Sequence, residues 1–202
     1  VGVSFIPTGS LYLSQSIAYQ SRLMSPDFQI ITQRLQLRLI SLDEATELRR
    51  CVCHSPSLHQ WIDWCSAQFS LQEAERFILA TRLNWVKADA YGFGVFDKKQ
   101  QTLIGMVAIN EFYHTFNMAS LGYWIADAYQ HHGMGKEALD ALIEFCFSRL
   151  ELTRLEIVCD PLNAASQRLA IACGAEQESI ARNRFLFDGE PRDGIVYSLI
   201  PE

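Results

Sequence analysis

A single α/β domain is the fold class this sequence predicts, and three observations predict it. Runs with period-two apolar alternation are interleaved with runs of helical periodicity in the order β-α-α-β-β-β-α-β-α-β-β. Two of the helices declare their starts by capping boxes, Ser41 with Glu44 and Ser70 with Glu73. A glycine-bearing turn, Gln130-His131-His132-Gly133-Met134-Gly135-Lys136, carries a strand-like run directly into a helix-like one. Such a turn offers unpaired backbone N–H groups and the positive end of a helix dipole, which together suit an anion.

The elements follow in order. Residues Val1 to Gln29 mix Gly, Ser, Pro and Tyr with scattered apolar residues and are expected to form a poorly ordered leader, with Met24 a candidate initiator; the domain is expected over 30–202. Gln33 to Leu39 alternates so that Leu35, Leu37 and Leu39 share one strand face. Leu42 to Cys53 follows as a short helix. Ser55 to Phe69, with Trp61 and Trp64, reads equally as helix or loop. The second capping box opens a helix through Lys87 that turns Ala74, Phe77, Ile78 and Thr81 to the core. Tyr91 to Phe96 and Thr102 to Asn110 make a hairpin, Glu111 to Asn117 a loop, and Met118 to Ala126 another strand. Lys136 to Leu150 buries Leu139, Leu142, Ile143, Cys146 and Leu150 at helical spacing. Arg154 to Asp160 is a strand, Asn163 starts a short helix closed by Gly174, and strands near Arg184 to Phe187 and Gly194 to Ile200 end the chain.

The composition narrows the function. A length of 202 residues suits one domain with a substantial core. A net charge of -6, with 17 Lys and Arg residues that form no block, argues against nucleic acid as a partner. No apolar run is long enough to span a membrane as a helix. The cysteines show no CxxC pair, and Cys51-Val52-Cys53-His54 lacks a second half, so no metal is expected and the thiols read as reduced, packed side chains in a cytoplasmic protein.

Three stretches in fixed order carry a resemblance: Leu121-Gly122-Tyr123-Trp124-Ile125, Gln130 to Gly135, and Asp160-Pro161-Leu162-Asn163-Ala164-Ala165-Ser166. With Arg34-Leu35-Gln36-Leu37-Arg38 near the start and Asp193 to Leu199 at the end, the chain from about 31 to 200 resembles the GNAT acyltransferases of the Rim type, which acetylate ribosomal protein N-termini. The Trp61 and Trp64 region and the placement of Asn110 are most similar to the branch that acetylates serine. The resemblance implies the acyl-CoA N-acyltransferase fold, an α+β mixed sheet splayed between its fourth and fifth strands, with acetyl-coenzyme A in the gap. It implies that the pyrophosphate meets the Gln130 to Lys136 turn through the amides of His131, His132, Gly133, Met134, Gly135 and Lys136. The pantetheine would pair with the backbone of Trp124, Ile125 and Ala126, Asn163 would bond it from the side, and Ser166 would face the thioester sulfur as general acid. A homodimer is implied on the same ground.

The base is not fixed by the resemblance. Many relatives carry a carboxylate where this chain has Ser120, or a glutamate in the late strand where it has Arg184-Phe185. Glu111 and His114 are the nearest substitutes, each equally a solvated loop residue. Trp61, Trp64 and Asn110 are candidates for the acceptor pocket, although core packing suits at least one tryptophan. An α-amine with a pKa of about 8 is already roughly a tenth neutral at pH 7, so an N-terminal acetylase can work with a weak base. The expected reaction is direct acetyl transfer to a protein N-terminus. The alternatives are a small amine (polyamine, amino sugar or antibiotic) and a non-catalytic acetyl-coenzyme A sensor.

Overall fold

The computed structural model describes residues 22–202. Eight strands form one sheet in the order β1-β2-β3-β4-β5-β6-β8-β7. They are β1 (Gln29–Ile31), β2 (Leu35–Arg38), β3 (Tyr91–Asp97), β4 (Leu103–Tyr113), β5 (Met118–Ile125), β6 (Arg154–Cys159), β7 (Glu176–Phe187) and β8 (Glu190–Leu199). Every neighbouring pair is antiparallel except β5 and β6. A parallel pair needs a crossover, which helix α4 (Met134–Ser148) supplies. The remaining helices are α1 (Ala45–Cys53), α2 (Pro56–Trp61), α3 (Leu71–Lys87) and α5 (Ala164–Ala172).

Two apolar layers cover the sheet. On one side Leu139, Leu142 and Cys146 of α4 meet Leu35, Phe93, Val107 and Leu121; on the other, Leu48 and Val52 of α1 and Ile78 of α3 meet Phe96, Met106 and Trp124. All five residues assigned to the buried stripe of the 136–150 helix are buried. Both capping boxes are formed: Ser41 and Ser70 each accept from a backbone N–H while Glu44 and Glu73 reach back to them. They fix where these two turns begin, because the alternative is a pair of unsatisfied amides.

The structure corrects several boundaries. Strand β1 was not anticipated; within the leader expected over 1–29, Arg22 is 3% exposed and bonds His114 and Asn117, and Met24 and Phe28 pack against the core. The rest of that leader, 1–21, lies outside the described residues. The ambiguous 55–69 stretch contains α2, started by a proline in its first turn. Strand β4 runs on to Tyr113, so Glu111 belongs to a strand and not to a loop. Strands β7 and β8 are far longer than the runs near 184–187 and 194–200, since their alternation is broken by register shifts between Gln177 and Ser179 and between Ala181 and Phe185. Cys51 and Cys53 donate to the carbonyls of Leu103 and Phe69, which fits them as packing thiols.

Candidate active site

The two parallel strands separate partway along. Pairing of β5 with β6 covers Met118–Leu121 against Arg154–Ile157 and then stops, although both strands continue. The edge of β5 from Gly122 onward is therefore free on that side, and a cleft of about 610 Å³ opens there. This is the splay the resemblance implied between the fourth and fifth anticipated strands.

At one end of the cleft stands the glycine turn. His131 (φ 65°) and Gly133 (φ 77°) are both left-handed, and Gly133 caps α4 without any side-chain bond. The N–H of Glu137 is the first to find a helical carbonyl, that of Gly133, so the amides ahead of it point out of the helix unpaired. Gly135 lies close to Ile125 and Leu169: a Cβ there would be 3.2 Å and 3.3 Å from their side chains, so a small residue lets the helix start sit against the strand end. The turn is tied down from behind. Arg34 donates from Nη1 to the His132 carbonyl (2.9 Å) and from Nε to Glu137 (2.8 Å), and Glu137 also accepts from the Thr32 hydroxyl (2.6 Å) and the Arg34 amide (3.0 Å). Burial pushes the Glu137 carboxyl up, but these bonds outweigh it and hold it below the usual range.

Not every residue assigned to this end faces it. Gln130, His131, Gly133, Met134, Gly135 and Lys136 line the cleft; His132 does not, and its carbonyl is occupied by Arg34. Lys136 reaches Asp140 at 2.6 Å. The Gln130 amide donates to the carbonyl of Ile125 (2.8 Å) and to Ser57 Oγ (3.1 Å), so that side chain closes a polar knot with Asp127. Ala126 does not line the cleft and its N–H bonds Ile104, which leaves Trp124 and Ile125 as the exposed end of the strand.

Midway along the cleft, Ser166 Oγ donates to the Tyr123 hydroxyl (3.2 Å) and lies 3.3 Å from Cys159 Sγ, while the Tyr123 hydroxyl donates to the Ser166 carbonyl (2.7 Å). Burial drives the Tyr123 phenol far up, with the Cys159 thiol adding to it, and burial also raises Cys159. Both therefore stay protonated at neutral pH, so Tyr123 is a hydrogen-bond donor and Cys159 a buried thiol. Asn163 is turned to its own helix, its Oδ1 accepting from the Ser166 amide at 3.2 Å. Three-residue spacing does bring the two together, but through a cap.

The far end is built on two bulges. The β4–β5 register slips between Ile109 and Glu111, which leaves Asn110 unpaired and aims it into the cleft; a Cβ on Gly122 would stand 2.3 Å from Asn110 Nδ2, so glycine makes room for it. Glu111 sits cross-strand from Ser120 and accepts from the Tyr113 hydroxyl. Opposite, the 181–185 slip in β7 presents Arg184 and Phe185. Trp61 lines the cleft, whereas Trp64 stacks on Phe77 (ring centroids 4.6 Å) and is a packing residue. His114 is not in the cleft either. It bonds Arg22 (2.6 Å) and stacks on Phe112.

The Acetyltransferase (GNAT) domain family matches residues 34–176. The chain belongs to this family. A solved structure of a candidate ribosomal-protein-serine acetyltransferase from Vibrio cholerae is 72% identical, with a TM-score of 0.83, covering 88% of this chain and all (100%) of that one. The Escherichia coli ribosomal-protein-serine acetyltransferase is 24% identical over 160 residues, 79% of this chain and 83% of that protein. The microcin C7 self-immunity acetyltransferase, solved with acetyl-CoA and AMP, shares the fold at 21% identity, with a TM-score of 0.78 over 89% of this chain and 99% of that one.

As a GNAT enzyme the chain is an N-acetyltransferase whose co-substrate is acetyl-coenzyme A. Its own residues fit that molecule: uncapped amides at a helix start suit a diphosphate, and a strand edge without a partner suits an amide-bearing arm. Sequence reasoning missed Arg34 as the tether of the turn, Tyr123 as the partner of Ser166 and Arg184 as part of the cleft wall. All three lay in quoted motifs. What was lacking is the distance between them in space, since Tyr123 and Ser166 are 43 positions apart.

Proposed function

We propose that this enzyme transfers acetyl from acetyl-coenzyme A directly to the N-terminal α-amine of a ribosomal protein. The observation that supports it is a single cleft with uncapped amides at one end, neutral hydroxyls midway and a carboxylate at the other. The acceptor class is supported by the 72% identity to the Vibrio cholerae candidate serine acetylase.

In this reading the amides of Gly133 to Lys136 hold the diphosphate, and the edge at Trp124 and Ile125 pairs with the pantetheine. The acceptor nitrogen attacks the thioester carbon, the C–S bond breaks and the sulfur takes a proton from Ser166, which the Tyr123 phenol can replenish. The proton released by the ammonium goes to Glu111. Trp61 and Asn110 flank the incoming amine. The reading further takes the enzyme to be a cytoplasmic homodimer without a nucleic-acid partner, which the net charge of -6 supports. Among the described residues no helix is long and apolar enough to cross a membrane.

The test is thiol release from acetyl-coenzyme A with a serine-starting peptide and with spermidine. Turnover of the peptide and not of spermidine is expected. Turnover of spermidine alone overturns the acceptor assignment, and no turnover on any amine, with acetyl-coenzyme A still bound, would leave a sensor.

A further inference from the structure

Arg184 is a half-buried cation in the wall of the cleft that has no carboxylate within ion-pair distance among the described residues. Its neighbour on the next strand, Arg192, is by contrast paired with Asp160 at 3.1 Å and lies over the Phe187 ring. Within the protein Arg184 bonds the Tyr113 hydroxyl, a neutral acceptor, and a guanidinium carries five N–H donors, so donors remain for a ligand that supplies a further acceptor. Its placement is also built. The β7 slip between Ala181 and Phe185, with Asn183 left-handed at φ 49°, re-aims Arg184, and its stem crosses Gly194, where a Cβ would meet Arg184 Cβ and Cγ at 3.2 Å and Val158 at 2.5 Å. Glycine at 194 thus keeps the path open.

The guanidinium stands beside the Tyr113 hydroxyl, which donates to Glu111. Cation and carboxylate therefore flank one phenol. An ammonium drawn to Glu111 places whatever is bonded to its α-carbon towards Arg184. In a peptide N-terminus that neighbour is a carbonyl, two bonds from the reacting nitrogen; in a free amino acid it is a carboxylate. Polyamines have neither.

We propose that Arg184 is a specificity-determining residue that binds the oxygen of an acyl carbon two bonds from the acceptor nitrogen, so that the cleft selects α-aminoacyl amines over simple ones. The inference rests on the proposed function, and the acyl oxygen it names is the first peptide carbonyl.

The test measures kcat/KM by thiol release for wild type, Arg184→Gln and Arg184→Lys with four acceptors: a serine-starting tripeptide amide, its alkene isostere lacking the first carbonyl, free serine and spermidine. Bound acetyl-coenzyme A and the melting temperature of each variant confirm an intact fold. The expected result is that Arg184→Gln lowers the preference for the tripeptide over its isostere by about tenfold, the scale of a half-exposed charged hydrogen bond, chiefly through KM, with Arg184→Lys between the two. An unchanged ratio, or an equal loss on both acceptors, overturns the proposal. Arg184-dependent turnover of free serine in preference to the tripeptide supports the acyl-oxygen site while overturning the protein acceptor. Turnover of spermidine alone overturns both.

Discussion

Tyr123 and Ser166 bond each other twice, hydroxyl to hydroxyl at 3.2 Å and hydroxyl to backbone carbonyl at 2.7 Å, across the gap where β5 and β6 part. The pair pins the start of α5 to the open edge of β5 and so props the splay; in the proposed reaction Ser166 is also the acid. Removing the acid should cost rate and not binding. Ser166→Ala is expected to lower kcat about a hundredfold, the lower end of what a positioned acid contributes, with the acetyl-coenzyme A Kd unchanged. Tyr123→Phe should lose less, because solvent can replenish the serine. Steady-state thiol release with calorimetric titration checks both, and an indifferent Ser166→Ala would remove the residue from the chemistry.

The left-handed Gly133 makes a second prediction. A side chain at φ 77° is strained, so Gly133→Ala should destabilise the protein by about 1 kcal/mol and tilt the amides that follow. Thermal melting with and without acetyl-coenzyme A reads both effects: the ligand-induced rise in Tm should shrink in the variant. An undiminished rise would mean that the turn does not hold the nucleotide.

Arg34 acts through its contacts and not as a ligand. Its side chain is 44% exposed, so the ion pair with Glu137 itself is worth little in water, and the bond to the His132 carbonyl carries the positioning. Arg34→Ala should cost about 1 kcal/mol of stability and raise the acetyl-coenzyme A KM several-fold, with kcat nearly intact. A fall in kcat at constant KM would place Arg34 in the chemistry instead.

His114 gives stability a pH dependence of definite sign. Burial, reinforced by the charge of Arg22, lowers its pKa below the ordinary 6.5. As pH falls through about 6.5 the unfolded chain takes up a proton that the folded one refuses, so stability is lost towards acid and complete above that value. His114→Asn should flatten the urea midpoint between pH 5 and pH 7, on the order of the window set by histidine titration. An unchanged slope would assign the acid loss to other groups.

The parts of the fold written in local chemistry were legible in the sequence. Ser41 and Ser70 capped what they were expected to cap, and the stripe from Leu139 to Leu150 is buried as its spacing required. The glycine turn was readable as a strand-to-helix turn with free amides because two glycines before a periodic helix are a local signal. What the sequence hid was set by register and by distant partners. Nothing near Asn110 marks it as a bulge, nothing near Glu111 marks it as cross-strand from Ser120, and only the fold shows that the Gln130 amide bonds the Ile125 carbonyl and that Asn163 Oδ1 caps its own helix. His114 was a candidate by chain position and Trp64 by resemblance, and packing against Phe112 and Phe77 uses them.

The most direct test is a crystal structure of the protein with acetyl-coenzyme A. Diphosphate oxygens within hydrogen-bond distance of the Gly133 to Lys136 amides, with the thioester between β5 and β6 beside Ser166, are the predicted result. A nucleotide seated elsewhere, with the Tyr123–Ser166 gap still closed to it, would contradict the account.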